Sequence, residues 1–249
     1  MRCFNLKEGD LVTRFKYNHD IVFKIERINN NVAYLKGEKI RLKADALISD
    51  LLPYSKTLDN DASVLEFVRN NKLINGCVLH LDGDEYYLKK CLSVYKKYDI
   101  PAVGYFMEEK DMPKRITELL ILHKPDILVI TGHDNVKKIG DKEEFENSKY
   151  FINALKKARI YQPSKDALVI FAGACQSYYE GLIESGANFA SSPGRKNINV
   201  LDPVYIAISV ARIHVNSFVD IEDVLKKTVS KGVGLGGIDT RGVARKLYQ

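Results

Sequence analysis

The chain has 249 residues, enough for one large domain or two smaller ones, and its 45% hydrophobic and 28% charged residues describe an ordinary globular protein. No apolar stretch approaches the roughly 18 residues a transmembrane helix needs, and the N-terminus lacks the apolar core of a signal peptide. The net charge of +6 comes from scattered Lys and Arg, so it admits an acidic partner but predicts no nucleic-acid surface.

Residues 1–55 read as short strands at Leu11-Val12, Ile21 to Ile25, Val32 to Leu35 and Ile40 to Leu42. Turn signals at Gly9-Asp10, Asn18-His19-Asp20, Asn29-Asn30-Asn31 and Gly37-Glu38 separate them. Short strands joined by tight turns predict a small SH3-like β-barrel, suited to packing, to peptide or RNA contact, or to a homodimer contact. Residues 56–75 carry Leu65, Val68 and Leu73 near helical spacing and predict a connecting helix.

Residues 76–249 form the second domain. Strand and helix patterns alternate here: a strand over Cys77–Leu81, a helix over Glu85–Tyr98, a strand over Ala102–Met107, a helix over Met112–His123 and a strand over Asp126–Thr131. A helix over Glu143–Arg159 and a strand over Ala167–Ala172 complete the series. The alternation predicts an α/β fold around a mostly parallel sheet with right-handed crossovers, in which the strand order 2-1-3-4 would place the strands that end at His133 and Cys175 side by side. Further on come a helix at Tyr178–Glu184, a strand at Ala187–Ser191, and helices at Pro203–Ile213 and Ile221–Ser230. The glycines at 232, 234, 236 and 237 follow a helix with no acidic strand end beyond them, so they predict a flexible loop, not a dinucleotide fingerprint. The charged stretch Asp134–Ser148 predicts a long loop beside the cleft.

Two strands end in reactive side chains. Leu-Val-Ile-Phe-Ala-Gly-Ala-Cys175 closes an apolar run at the apparent start of a helix, where a thiol gains thiolate character. Asp-Ile-Leu-Val-Ile-Thr-Gly-His133 has the same layout and ends in a base. On neighbouring parallel strands the two would sit at the carboxyl edge, where α/β folds collect chemistry. A thiol beside an imidazole is the arrangement of a cysteine nucleophile with its general base. An isolated cysteine is more often a buried, inert one, and only the pairing with His133 favours catalysis.

The segments Thr131-Gly-His-Asp134, Ala172-Gly-Ala-Cys-Gln176, Leu79-His-Leu-Asp-Gly-Asp84 and Gly236-Gly-Ile-Asp-Thr-Arg-Gly242 resemble a family of sporulation peptidases. That family lies within the caspase-like superfamily of clostripain, gingipain, legumain and separase, and the resemblance spans nearly the whole chain. It implies a three-layer αβα sandwich and a cysteine endopeptidase that cleaves spore coat and germination proteins after Arg or Lys. It implies a protein of the sporulating cell's cytoplasm that becomes spore-associated. Cys175 and His133 would be catalytic, with the backbone N–H groups of Cys175 and Asp134 forming the oxyanion hole. Asp134 stands where many relatives have glycine, and Gly173 stands where clostripain-type enzymes carry an acid.

A basic P1 side chain needs a carboxylate, and Asp82 and Asp84 after the first strand, with Asp202 in reserve, are the candidates. Asp84 is equally suited to capping the next helix. No cofactor, metal or membrane partner is expected. His80, His123 and His214 are dispersed, and Cys3, Cys77, Cys91 and Cys175 form no C-x-x-C pair. Caspase-like relatives sometimes respond to calcium, for which the Asp82/Asp84 turn is the one candidate. Two other readings fit the residues. One is a glutamine-amidotransferase-like thiol hydrolase, in which His214 would be the base; the other is a coat scaffold in which Cys175 is structural.

Overall fold

The computed structural model describes residues 6–54, 73–140 and 142–247. The chain divides into two compact units, residues 1–64 and 65–249. The predicted connecting helix lies almost wholly outside the described residues.

The first unit is an antiparallel sheet of β1 (Leu11–Arg14), β2 (Phe23–Asn29), β3 (Val32–Gly37), β4 (Lys43–Leu47) and β5 (Leu51–Pro53), in the order β4-β3-β2-β1-β5. Val12, Phe23, Ile25, Ala33, Leu35 and Leu51 form its core. The fourth strand is displaced from the expected Ile40–Leu42. There the backbone turns, with Leu42 N–H donating to Ile40 O at 2.8 Å. The strand that forms instead turns Ala44 and Ala46 inward, and alanine is a weak strand signal.

The second unit carries β6 (Leu73–Ile74), β7 (Val78–Asp82), α1 (Glu85–Lys97), β8 (Ala102–Phe106), α2 (Met112–His123) and β9 (Ile127–Thr131). A hairpin of β10 (Val136–Ile139) and β11 (Lys142–Phe145) follows, then α3 (Ser148–Tyr161), β12 (Val169–Ala172), α4 (Tyr179–Glu184) and β13 (Phe189–Ser191). The chain continues through α5 (Asp202–Arg212), α6 (Ile221–Lys226), β14 (Leu235–Gly237) and β15 (Arg245–Lys246), which pairs with β6.

Its main sheet runs β14-β13-β12-β9-β7-β8. All neighbours are parallel except β14, which is antiparallel to β13. The first four strands thus stand in the expected 2-1-3-4 order. Strands β7, β9 and β12 are buried along their whole length, which is why they read as unbroken apolar runs. One face presents Leu79, Leu81, Leu128, Ile130 and Ile170 to Ile116, Leu119 and Leu120 of α2 and to Phe151 and Leu155 of α3. Each such side chain contributes about 1.5–3 kcal/mol on burial. Helices α1 and α5 pack together against the opposite face. Among the described residues no helix is long and apolar enough to cross a membrane.

Two expected loops are structured. Strands β10 and β11 pair as a hairpin, so α3 starts at Ser148 and not at Glu143. Gly236 and Gly237 lie in edge strand β14, where an added Cβ would meet the Tyr179 hydroxyl at 2.4 Å and the Phe189 ring at 2.6 Å.

Candidate active site

The parallel register aligns three strand ends. Ile130 of β9 pairs with Ala172 of β12, so His133 and Cys175 each stand three residues beyond a paired couple. On the other side of β9, Asp82 pairs with Thr131, so Asp84 and His133 each stand two residues beyond. The three residues therefore follow the carboxyl ends of three neighbouring strands.

His133 is held at two points. Its Nε2 lies 3.1 Å from Asp84 Oδ2, and its backbone N–H donates to Glu109 Oε1 at 2.7 Å. The Glu109 carboxylate fits against two glycines: a Cβ on Gly83 would come within 2.1 Å of it, and one on Gly132 within 2.4 Å. Asp84 also caps α1, accepting from Tyr86 N–H at 3.0 Å and Tyr87 N–H at 3.2 Å. The capping role foreseen in the sequence and the contact with His133 belong to one carboxylate.

Cys175 is 1% exposed. Its Sγ accepts the Ile198 N–H at 3.4 Å and contacts Ile198 O at 3.6 Å, so a stretch of backbone lies directly on the thiol. The helix expected over Tyr178–Glu184 forms, but the thiol does not stand at its start. Helix α4 is six residues long and begins at Tyr179, which puts the cysteine in the turn before it. The turn needs small or unusual residues: Gly173 has φ +112° and Gln176 has φ +63°. A Cβ on Gly173 would lie 2.8 Å from both Leu182 and the Ser191 hydroxyl, so no acidic side chain fits there.

Asp134 ties the His133 loop to the Cys175 turn. Its carboxylate accepts from Asn135 N–H at 2.9 Å, Asn147 N–H at 2.7 Å, Ser177 Oγ at 3.0 Å and the Ser148 hydroxyl. Burial pushes its pKa above the ordinary carboxylate value, and the hydrogen bonds from Ser148 and the backbone only partly offset this. Its own N–H donates to no acceptor among the described residues. Gln176 adds a second tie, with Oε1 accepting from Val136 N–H at 3.4 Å.

The remaining acidic candidates are turned inward. Asp82 is fully buried, accepting from Thr131 Oγ1 at 3.0 Å and Asp84 N–H at 2.9 Å, with His80 Nε2 at 3.5 Å. Asp202 is fully buried at the start of α5, accepting from Asn199 N–H at 2.8 Å and from Ser230 Oγ at 2.6 Å. Burial raises its pKa as well. His80 is not isolated as its sequence position suggested. It gathers with Asp82 and Cys91 into a buried cluster, and its ring nitrogens lie 3.2 Å from the Tyr95 hydroxyl and 2.9 Å from Thr131 Oγ1. His214 lies past α5, accepting from Asn216 N–H at 3.2 Å, and Ala244 is its bridge partner.

Residues 7–73 and 59–249 match the model of the YabG peptidase U57 family. The chain is 43% identical, over 277 aligned positions, to the sporulation-specific protease YabG of Bacillus subtilis (strain 168), covering 95% of this chain and 96% of that protein. No solved structure gives a significant match. A family match across both units, joined to near full-length identity, shows that the chain belongs to the YabG peptidase family.

Proposed function

We propose that this sporulation peptidase is a cysteine endopeptidase with Cys175 as nucleophile and His133 as general acid–base. The observation that carries the reading is that Asp84, His133 and Cys175 follow the carboxyl ends of three neighbouring strands. His133 Nε2 donates to Asp84, which leaves Nδ1 to exchange a proton with the thiol. Nδ1 takes the thiol proton, and the thiolate attacks the scissile carbonyl carbon. The C–N bond then breaks, and the leaving amine takes that proton from His133. Water, deprotonated by the same nitrogen, releases the acyl group and restores the thiol. The Cys175 and Asp134 N–H groups stabilise the oxyanion, a role that the absence of a described acceptor on the Asp134 N–H supports.

The substrates are proteins of the spore coat and of germination, cut after Arg or Lys. Access to the sulfur requires the backbone at Ile198 to move aside, because it covers Sγ in the resting state. Asp84 acts as the orienting partner of His133.

Purified Cys175→Ala and His133→Ala, compared with wild type on peptides varied only at P1, test the assignment. Each should lower turnover by several orders of magnitude with the circular dichroism spectrum unchanged. Near-normal turnover in either variant overturns it.

A further inference from the structure

An arginine already occupies a built site beside the cysteine turn. Arg195 donates from Nε to Glu143 Oε2 at 2.9 Å and from Nη1 to Glu180 Oε2 at 2.9 Å. Its Nη2 lies 2.9 Å from Glu143 Oε2 as well, so that one oxygen meets two guanidinium nitrogens. The guanidinium carbon sits 4.9 Å from the centre of the Phe145 ring and 5.7 Å from that of Tyr178. Those two rings stack at 5.1 Å with their planes 24° apart. Two carboxylates that accept charge-assisted hydrogen bonds, together with two aromatic faces, are the elements that select a planar guanidinium over an ammonium.

The site is assembled from the segments that leave the catalytic edge. Glu143 and Phe145 lie on β11, in the hairpin that follows His133. Tyr178 and Glu180 follow Cys175 by three and five residues. An open cleft of about 680 Å³ borders it, lined by Lys138, Gly140, Lys142, Glu143, Phe145 and Tyr178. Arg195 itself belongs to the segment after β13, three residues before the Ile198 that covers the thiol. Motion that uncovers Sγ therefore pulls on the same short segment that holds Arg195 in place. Once Arg195 withdraws, two carboxylates and an aromatic pair lack their cation. The fit of an acid at Gly173 is excluded by space, and Asp82 and Asp202 point inward.

We propose that Glu143, Glu180, Phe145 and Tyr178 form the pocket for the substrate's basic side chain, with arginine preferred to lysine, and that Arg195 occupies this pocket in the resting enzyme. The proposal rests on Cys175 being the nucleophile, since the segment's position over that thiol links the two events.

The test uses the full chain and matched peptides with Arg, Lys or norleucine at P1, reading kcat and KM separately. Arg195→Ala, or Arg195→Gln where the alanine variant folds poorly, should lower KM for the Arg peptide about tenfold more than for the norleucine peptide. The double variant Glu143→Gln/Glu180→Gln should cut the Arg-to-norleucine ratio of kcat/KM by roughly 100-fold. A second readout is independent of catalysis: agmatine titrated by calorimetry into Cys175→Ala/Arg195→Ala should bind, and binding should vanish when both glutamates are also changed. An Arg195 variant that raises KM for all peptides alike makes Arg195 a brace and overturns the proposal, as does an unchanged ratio in the double glutamine variant. Failure of the nucleophile assignment shows separately, as turnover persisting in Cys175→Ala, while agmatine binding still judges the pocket.

Discussion

The Asp84 carboxylate serves His133 and helix α1 at once: Oδ2 lies 3.1 Å from His133 Nε2, while Oδ1 accepts the Tyr86 and Tyr87 N–H groups at 3.0 and 3.2 Å. One carboxylate thus anchors the first turn of a helix and fixes an imidazole, so the ring is oriented by a rigid element and not by a loop.

Asp84→Asn separates these roles. Asparagine caps a helix as well as aspartate does, so the melting temperature should stay within about 2 °C of wild type. Without the negative charge the His133 imidazolium loses its partner, and kcat should fall by about 10²- to 10⁴-fold. Asp84→Ala should add a stability loss of about 1 kcal/mol from the missing cap. A kcat for Asp84→Asn within threefold of wild type would remove the carboxylate from the mechanism.

Gly132→Ala tests the seat of His133. The new Cβ would stand 2.4 Å from Glu109 Oε1, the acceptor of the His133 N–H. Glu109 must swing away, the N–H loses its partner and the ring shifts, so kcat should drop about tenfold. Glu109→Gln keeps an amide oxygen as acceptor and should cost less than threefold. Equal losses in the two variants would show that the contact does not position the histidine.

Asp134 gives a pH signature. Burial raises its pKa on folding, so the folded state holds this proton more tightly than the unfolded state does. Its contribution to stability is then full below the ordinary carboxylate pKa and is lost as pH rises through the raised value. Asn at this position does not titrate. The melting temperature of wild type minus that of Asp134→Asn should therefore increase as pH falls from 7 towards 4. A difference that stays flat or shrinks over that range contradicts the assignment.

Arg159 is predicted to carry stability and not catalysis. It donates to the carbonyls of Gly186, Gln162, Ser164 and Leu168 and to Asn188 Oδ1, at 2.8, 3.2, 3.2, 2.9 and 2.9 Å. Burial lowers its pKa to about 10, which still leaves it charged near neutrality. Arg159→Met strands several of these acceptors and should cost about 2–4 kcal/mol in urea unfolding. Turnover per folded molecule should change less than threefold. A loss under 0.5 kcal/mol, on the scale of about ±0.5 kcal/mol expected for ordinary surface substitutions, would show that the loop carbonyls find water instead.

The sequence by itself determined what depends on local pattern. Apolar runs such as Leu128 to Ile130 and Val169 to Phe171 read as strands buried on both faces, and their alternation with amphipathic helices points to a parallel sheet, in which the order 2-1-3-4 sets the two runs side by side. With that order, the residues just past each run, His133 and Cys175, must share one edge. Tertiary structure decided whatever depends on partners distant in the chain. Asp84 has two possible uses in sequence, and only the Asp82–Thr131 register brings it to His133. The Lys- and Glu-rich stretch 136–145 carries no strand pattern, because the residues of strands β10 and β11 are nearly all exposed and none of them is fully buried. Residues 236 and 237 form a strand by pairing with β13 and must be glycine for want of space under Tyr179 and Phe189, a constraint set by side chains about 50 residues away. The pairing of Arg195 with Glu143 and Glu180 is invisible in the chain for the same reason: charges 52 and 15 residues apart meet only where the β10–β11 hairpin, helix α4 and the segment after β13 come together.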